Sequence, residues 1–104
     1  MVKTSDNHYR VTPRAHNDLI NIGHYTEQTW GKTQRNVYLK AIEALFQWLA
    51  DNPLLGKHRT DIGENYYSFP QGQHVVFYLI GLNHIDIIGI PHKEMDIISY
   101  FCED

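Results

Sequence analysis

Cysteine is almost absent from this chain of 104 residues, which contains one, Cys102. A single cysteine excludes an intrachain disulfide and a cysteine-rich zinc site, and it indicates a reducing compartment, the cytoplasm. Long apolar runs are also missing, since none approaches the roughly 18 residues that a membrane span requires. The first ten residues have no apolar core of the kind found in signal peptides. We therefore expect a cytoplasmic protein that makes no contact with a membrane.

Positive charge is scarce in the second half of the chain. Residues 61–104 contain one base, Lys93, and seven acids, a balance of −6, whereas residues 1–60 have a balance of +3 from eight bases and five acids. A surface that binds nucleic acid needs clustered lysine and arginine to neutralise phosphates. The composition therefore argues against a nuclease or nucleic-acid reader built on the second half and leaves the helical half open. For the chain as a whole we expect no direct contact with nucleic acid.

The residues that are plentiful mark consecutive strands. Hydrophobic residues make up 42% of the chain, as in one globular domain over residues 1–104. Runs of β-branched and aromatic residues at 66–69, His74–Ile80 and 85–90 are separated by short breaks that contain glycine, proline and asparagine. This pattern predicts a three-stranded antiparallel meander, and the alternating residues 9–12 predict a fourth strand that joins it.

Two helices are predicted between the first strand and the meander. Thr12 is a favourable N-cap followed by proline, and apolar residues at helical spacing extend the first helix over Pro13–Trp30. Beyond Gly31, a wide apolar stripe predicts a second helix over Lys32–Asp51, which Pro53 ends. Neither helix can bury its stripe alone. The predicted fold class is therefore α+β: an N-terminal strand and an αα-hairpin packed on a four-stranded, twisted antiparallel sheet.

Several short motifs run in order over about residues 9–96. They are Thr12-Pro13-x-Ala15-x-x-Asp18-Leu19-x-x-Ile22, Tyr25-Thr26 followed by Trp30-Gly31, Leu49-x-x-Asn52-Pro53-x-x-Gly56, Phe69-Pro70-x-Gly72-x-His74-Val75-Val76-Phe77-Tyr78 and Ile88-x-Ile90-x-His92-x-x-Met95-Asp96. In this order they resemble the ParE-type toxins of the RelE/ParE superfamily, which belong to bacterial toxin–antitoxin modules.

The resemblance implies the RelE/ParE-like fold and a cytosolic toxin that a cognate antitoxin holds inactive. Many antitoxins of this kind are acidic and partly disordered. Such a segment would lie in the groove between the helices and the sheet, or along a sheet edge. ParE-type members inhibit DNA gyrase, whereas RelE-type members are ribosome-dependent mRNA endonucleases.

Three positions depart from the pattern of the superfamily. Tyr67 and Gly89 stand where such chains usually carry arginine, and Pro91 stands where they usually carry leucine. Arginine supplies the phosphate clamp that RNA cleavage needs. These departures argue against RNA cleavage. The ParE-like pattern over nearly the whole chain, together with a sheet that is poor in cations, leads us to expect a toxin that binds and inhibits DNA gyrase and is not an enzyme. The alternatives are a ribosome-dependent mRNA endonuclease and a degenerate, non-toxic module that only binds the antitoxin.

His92 is the best single candidate for catalysis, because it follows the last strand where some ribonuclease relatives place a proton-transfer histidine. A general acid needs a tuned pKa, a positioned partner and cations that stabilise developing charge. Lys93 is the only cation nearby in sequence, and the endonuclease hypothesis adds Lys57 and Arg59. The favoured interpretation of His92 is a structural residue that bonds backbone at the strand end.

The candidates for binding the antitoxin or the target are Arg10, Arg14, Arg35, Lys57, Arg59, Tyr67, His74, Tyr78, His92 and Lys93. A solvated helix face also explains most of the basic residues, and Tyr67, His74 and Tyr78 are favoured as half-buried sheet residues. Trp30 and Trp48 are interpreted as core or hinge packing. The seven histidines show no recognised metal-ligand spacing, so we expect no metal and no cofactor.

Overall fold

The computed structural model describes residues 7–102. Strand β1 is His8–Val11, helix α1 is Pro13–Trp30 and helix α2 is Lys32–Asp51, so both long helices have their predicted bounds. A 3₁₀ turn at Pro53–Leu55 precedes strands β2 (Lys57–His58), β3 (Tyr66–Gln71), β4 (His74–Ile80) and β5 (His84–Gly89), and helix α3 is Ile97–Cys102. None of the helices in the described residues is long and apolar enough to cross a membrane.

The five strands form one sheet in the order β1-β5-β4-β3-β2. The antiparallel meander of β3, β4 and β5 and the hairpin of α1 and α2 confirm the predicted α+β class. Two details differ from the prediction. Strand β1 pairs with β5 in parallel, from His8 opposite His84 to Val11 opposite Ile87, and β2 adds a fifth strand at the other edge. A parallel pair needs a long crossover, and α1 and α2 begin that crossover.

Thr12 joins β1, α1 and β5. Its side-chain oxygen accepts a hydrogen bond from the Ala15 N–H at 3.3 Å, as an N-cap does, and donates to the Ile87 carbonyl at 3.0 Å. The Thr12 N–H donates to the same carbonyl at 3.1 Å. At the other end of α1, Gly31 has φ of +96°, a conformation that a residue with a side chain rarely adopts. The hairpin therefore turns across one residue.

The two helices cover one face of the sheet, and the core lies between these layers. Its members are Ala15, Ile22, Ile42, Leu45, Phe46, Leu49, Ala50, Val76, Tyr78, Ile85, Ile87 and Ile90. Tyr78 is the largest of the fully buried side chains. Its hydroxyl donates to the Pro53 carbonyl at 2.7 Å and accepts from the Gly56 N–H at 3.1 Å, and burial raises its pKa to about 12. Tyr78 thus fastens the segment after α2 to the sheet.

Helix α3 and the residue after β2 cover Phe77, which lies outside the core between the layers and is fully buried. The Phe101 and Phe77 ring centroids are 5.2 Å apart, and the Arg59 guanidinium carbon is 5.1 Å from the Phe77 centroid. Gly89 pairs with Phe77 across the sheet, and the Tyr100 ring fills the space that a side chain at position 89 would need. The C-terminal segment is therefore a docked helix.

Asp18 of α1 ties α3 to the end of β5. Its Oδ2 accepts hydrogen bonds from the Ile90 N–H at 2.8 Å and from the Tyr100 hydroxyl. Burial and this bond to the carboxylate raise the pKa of Tyr100 well above its ordinary value. Arg14 donates to the Tyr100 carbonyl at 2.7 Å, and its guanidinium carbon lies 4.9 Å from the centre of the Tyr100 ring. The residues after β5 are thus held against the start of α1.

Replacing Tyr78 with phenylalanine removes both hydrogen bonds of the buried hydroxyl and deprives Pro53 and Gly56 of that partner. We expect the free energy of unfolding to fall by about 1–3 kcal/mol in urea denaturation. Tyr25→Phe is the matched control, because Tyr25 is 64% exposed, and it should change the same quantity by less than about 0.5 kcal/mol. Similar losses in the two variants would contradict the structural role of Tyr78.

Candidate functional site

A cleft of about 640 Å³ opens where the tip of the helical hairpin meets the turn between β3 and β4. We call it the aromatic cleft. Its lining residues are Tyr25, Thr26, Trp30, Gln34, Tyr38, Gly72, Gln73, His74 and His92. Trp30 is 70% exposed and Tyr25 is 64% exposed. Large aromatic side chains left in water beside a concave surface are typical of binding sites.

Tyr38 of α2 builds one wall of the aromatic cleft. Its hydroxyl donates to the Gln71 carbonyl at 2.9 Å, lies 2.8 Å from His74 Nδ1 and accepts from the Gln73 N–H at 3.2 Å. Gly72, at φ of +58°, makes the tight turn that brings these groups to one point. The helix hairpin and the β3–β4 turn are thus locked together at the cleft.

His74 and His92 form a second wall. Their ring centroids are 5.5 Å apart, and the strand exit is pinned by backbone hydrogen bonds from Val75 to Pro91 at 3.0 Å and from Lys93 to Gln73 at 2.8 Å. Burial lowers the pKa of His74 below its ordinary value, and the neighbouring His92 lowers it further, against a smaller opposing effect of Asp18. His74 is therefore uncharged at neutral pH.

His92 is exposed, and its Nδ1 accepts a hydrogen bond from the Glu94 N–H at 3.2 Å. This backbone bond agrees with the structural interpretation of His92. A general acid or base is usually oriented by a carboxylate or carbonyl on its other ring nitrogen. The described bonds of His92 provide no such partner, so its geometry is that of a surface residue at a strand exit.

The four arginines are all engaged within the chain. Arg10 pairs with Asp86 at 2.9 Å, Arg35 with Glu27 at 2.6 Å and Arg59 with Asp61 at 2.7 Å. Arg14 is held by α3, as described above. The Asp61 side chain raises the pKa of Arg59, and Arg59 in turn lowers the pKa of Asp61. Each of the four predicted arginines is therefore bonded to a different partner within the chain.

The other predicted candidates are also dispersed. Tyr67 is half-buried in β3, stacked between His58 at 4.6 Å and Tyr78 at 5.8 Å. Tyr78 offers no surface for direct contact because it is fully buried. Lys57 on β2 and Lys93 beside the aromatic cleft are exposed. In residues 7–102 no group of three or more histidine, cysteine, aspartate or glutamate side chains is placed to hold a metal ion.

Sequence reasoning missed the aromatic members of the cleft. Trp30 does not pack in a core, since most of it is exposed, whereas Trp48 is 40% exposed and contacts Phe69 at 5.3 Å between ring centroids. The signal available in the sequence was the position of Trp30 directly before the hairpin break at Gly31. A residue at a helix end beside a one-residue turn has little protein around it.

The fold is shared with a solved structure. A chain from the chromosomal ParDE TA system of P. aeruginosa superimposes with a TM-score of 0.73 at 15% identity, over 88% of this chain and 100% of that one. This chain and that one therefore share one α+β fold, in which a helical hairpin packs on a mixed sheet.

Sequence comparison identifies the family. The model described as the ParE toxin of type II toxin–antitoxin system, parDE, matches residues 9–97. Toxin ParE1 of Caulobacter vibrioides is 34% identical over 88 residues, 85% of this chain and 91% of that protein. Toxin ParE1 of Mycobacterium tuberculosis is 30% identical over 90 residues, 86% of this chain and 92% of that protein. The chain belongs to the family of ParE toxins of type II toxin–antitoxin systems, which confirms the resemblance.

The histidine pair of the cleft makes a prediction for pH titration. Because folding lowers the pKa of His74, protonation favours the unfolded chain. Neutral His74 stabilises the folded chain at pH values above about 6.5, the pKa of histidine in the unfolded chain. This stabilisation is lost as the pH falls through the lower pKa that His74 has in the folded chain. We expect NMR titration to give His74 a midpoint below about 6.5 in the native protein.

The variant His92→Gln removes the effect of His92 on the pKa of His74 and keeps the larger effect of burial. The midpoint of His74 should therefore rise toward its ordinary value without reaching it. A His74 midpoint that is the same in both proteins would contradict the interaction between the two rings.

Proposed function

We propose that this ParE-family chain is the toxin of a two-component module, that a cognate antitoxin neutralises it, and that it acts by binding DNA gyrase without catalysing a reaction. Membership of the ParE family supports the first part. The bonding of the four arginines within the chain supports the last part. Its sheet and helix surfaces would then act as contact surfaces.

The observation that carries this proposal is the engagement of the arginines. Cleavage of RNA requires cations that are available to stabilise charge on phosphorus, because that charge develops in the transition state. Each guanidinium here is bonded to a carboxylate or a carbonyl of the same chain. The positions where an endonuclease relative would carry arginine hold a stacked Tyr67 and a Gly89 covered by Tyr100. These contacts favour a binding toxin over an endonuclease.

The seam between α1 and α2 is the surface that best fits the antitoxin. A groove of about 460 Å³ lies there, and its lining includes Ile20, Gly23, Arg35 and Leu39. Ile20 is 45% exposed, so an apolar residue of the seam faces water. An amphipathic helix of the acidic antitoxin would cover this residue with its apolar face, while Arg35 stays paired with Glu27 in the same groove. The sheet edge at β1, which carries Arg10, is the second surface of this kind.

Substitution of Ile20 tests the antitoxin surface. Ile20→Asp places a charge in the seam, and we expect affinity for the cognate antitoxin, to be sought in the neighbouring gene, to fall at least about tenfold, or 1.4 kcal/mol. Isothermal titration calorimetry measures this affinity. Ile98→Asp is the matched control, because Ile98 is 58% exposed on α3, and it should leave the affinity within about twofold. If the two substitutions changed the affinity equally, the seam between α1 and α2 would not be the antitoxin-binding surface.

Expression and a supercoiling assay test the toxic activity. Expression of the chain alone should arrest growth, and co-expression of the neighbouring antitoxin should restore growth. The purified toxin should inhibit supercoiling by DNA gyrase and should leave mRNA intact in a translating extract, because no proton transfer is involved. Unchanged supercoiling at toxin concentrations far above that of gyrase would refute the gyrase target. Cleavage of mRNA in a translating extract, lost in His92→Gln, would instead establish the endonuclease.

A further inference from the structure

The aromatic cleft lies apart from the α1–α2 seam to which the proposed function assigns the antitoxin. We propose that it binds an uncharged, planar heteroaromatic ring of the nucleobase and nucleoside class. The inference stands on the hydrogen-bonding state of His74 and His92, on the exposed rings of Tyr25 and Trp30, and on the absence of charge in the lining.

The Tyr38 hydroxyl has a single proton, and the acceptor of that proton fixes the tautomer of His74. The Gln71 carbonyl can only accept, so Tyr38 donates its proton to that carbonyl at 2.9 Å. The contact of 2.8 Å to His74 Nδ1 is then a hydrogen bond in which Nδ1 donates. A neutral imidazole that carries its proton on Nδ1 has a lone pair on Nε2. His74 therefore presents an acceptor.

His92 presents a hydrogen-bond donor, whereas His74 presents an acceptor. Its Nδ1 accepts from the Glu94 N–H at 3.2 Å, so its proton is on Nε2. The two rings, 5.5 Å apart, thus add one acceptor and one donor to the lining of the same cleft. Gln34 and Gln73 contribute amide groups to that lining. A nucleobase carries donor and acceptor groups side by side along its edge. Such an edge can pair with the donor and acceptor groups of these lining residues.

The cleft also offers exposed aromatic rings and an uncharged lining. Trp30 and Tyr25 are the aromatic lining residues that are mostly exposed, and every base has a face that stacks on such rings. No lysine, arginine, aspartate or glutamate is among the lining residues. Lys93 lies beside the cleft but outside its lining. The lining itself therefore offers no cation to a phosphate, whereas a neutral ring needs none. The cleft volume of about 640 Å³ is in the range of small-molecule sites.

The two tryptophans allow a test with an internal control. The indole N–H signals of Trp30 and Trp48, assigned with a Trp48→Phe variant, are followed by NMR while adenosine, guanosine, cytidine and uridine are added in turn. We expect a saturable shift of the Trp30 signal with at least one nucleoside, at a dissociation constant of roughly 1 mM or below. The Trp48 signal should not move, because Trp48 lies outside the cleft lining.

Variants of the two histidines distinguish recognition from simple stacking. His74→Phe and His92→Phe keep a flat ring but lose the hydrogen bond, so each should weaken nucleoside binding at least about tenfold. Thermal denaturation shows whether each variant is folded, and Gln34→Leu repeats the test at an exposed position of α2.

Three results would overturn the proposal. They are the absence of saturable shifts with all four nucleosides, equal shifts at Trp30 and Trp48, and an oligonucleotide that binds far more tightly than any nucleoside. The last result would identify a polynucleotide surface. None of them depends on gyrase or on the antitoxin, so this inference and the proposed function can fail separately.

Discussion

The parallel pairing of β1 with β5 is the contact on which the rest of the structure depends. It joins residues that are 76 positions apart, His8 and His84, and makes β5 an inner strand. Thr12 completes the pairing through its two bonds to the Ile87 carbonyl and starts α1 at the same point. Because α1 begins on β5, Asp18 meets Ile90, and the segment beyond β5 passes beside the hairpin. The position of His92 against His74 is a consequence of this closure.

The pairing also determines what the surfaces can do. Arg10 on β1 lies opposite Asp86 on β5, so the register that closes the sheet also pairs this guanidinium. The docking of α3 places Tyr100 over Gly89 and Arg14 over Tyr100. The face that would carry a phosphate clamp in an endonuclease is thereby filled by aromatic rings and internal bonds. Under the proposed function, this surface would act as a contact surface for a protein.

Much of the fold could be predicted from local sequence signals, because each acts over a few residues. Thr12 and Gly31 set the ends of α1, and the runs around the β3–β4 turn gave the meander. The direction of β1 and the shift in register between Phe77 and Tyr78 could not be predicted, since they depend on how the layers close. The two-residue strand β2 is too short to leave a periodic pattern.

The candidate site was harder to predict than the fold for the same reason. His74 and His92 were recognised singly, but their proximity arises from a bridge between the start of β4 and the exit of β5. Arg10 bonds to Asp86 and Arg14 to the Tyr100 carbonyl, which are 76 and 86 positions away along the chain, so these pairings could not be predicted from the sequence. Of the two interpretations of Trp30, core packing is wrong and a place at the hinge between the helices remains, because hydrophobicity alone does not distinguish a core residue from an exposed residue at a helix end.

The central claim is that this toxin binds its target and does not turn over a substrate. The most direct test is to titrate the toxin against a known concentration of active gyrase and to measure the endpoint of supercoiling inhibition. A binding toxin should reach its endpoint near one toxin per binding site, with the same endpoint after longer incubation. Complete inhibition by far fewer toxin molecules, increasing with time, would contradict the account and indicate catalysis.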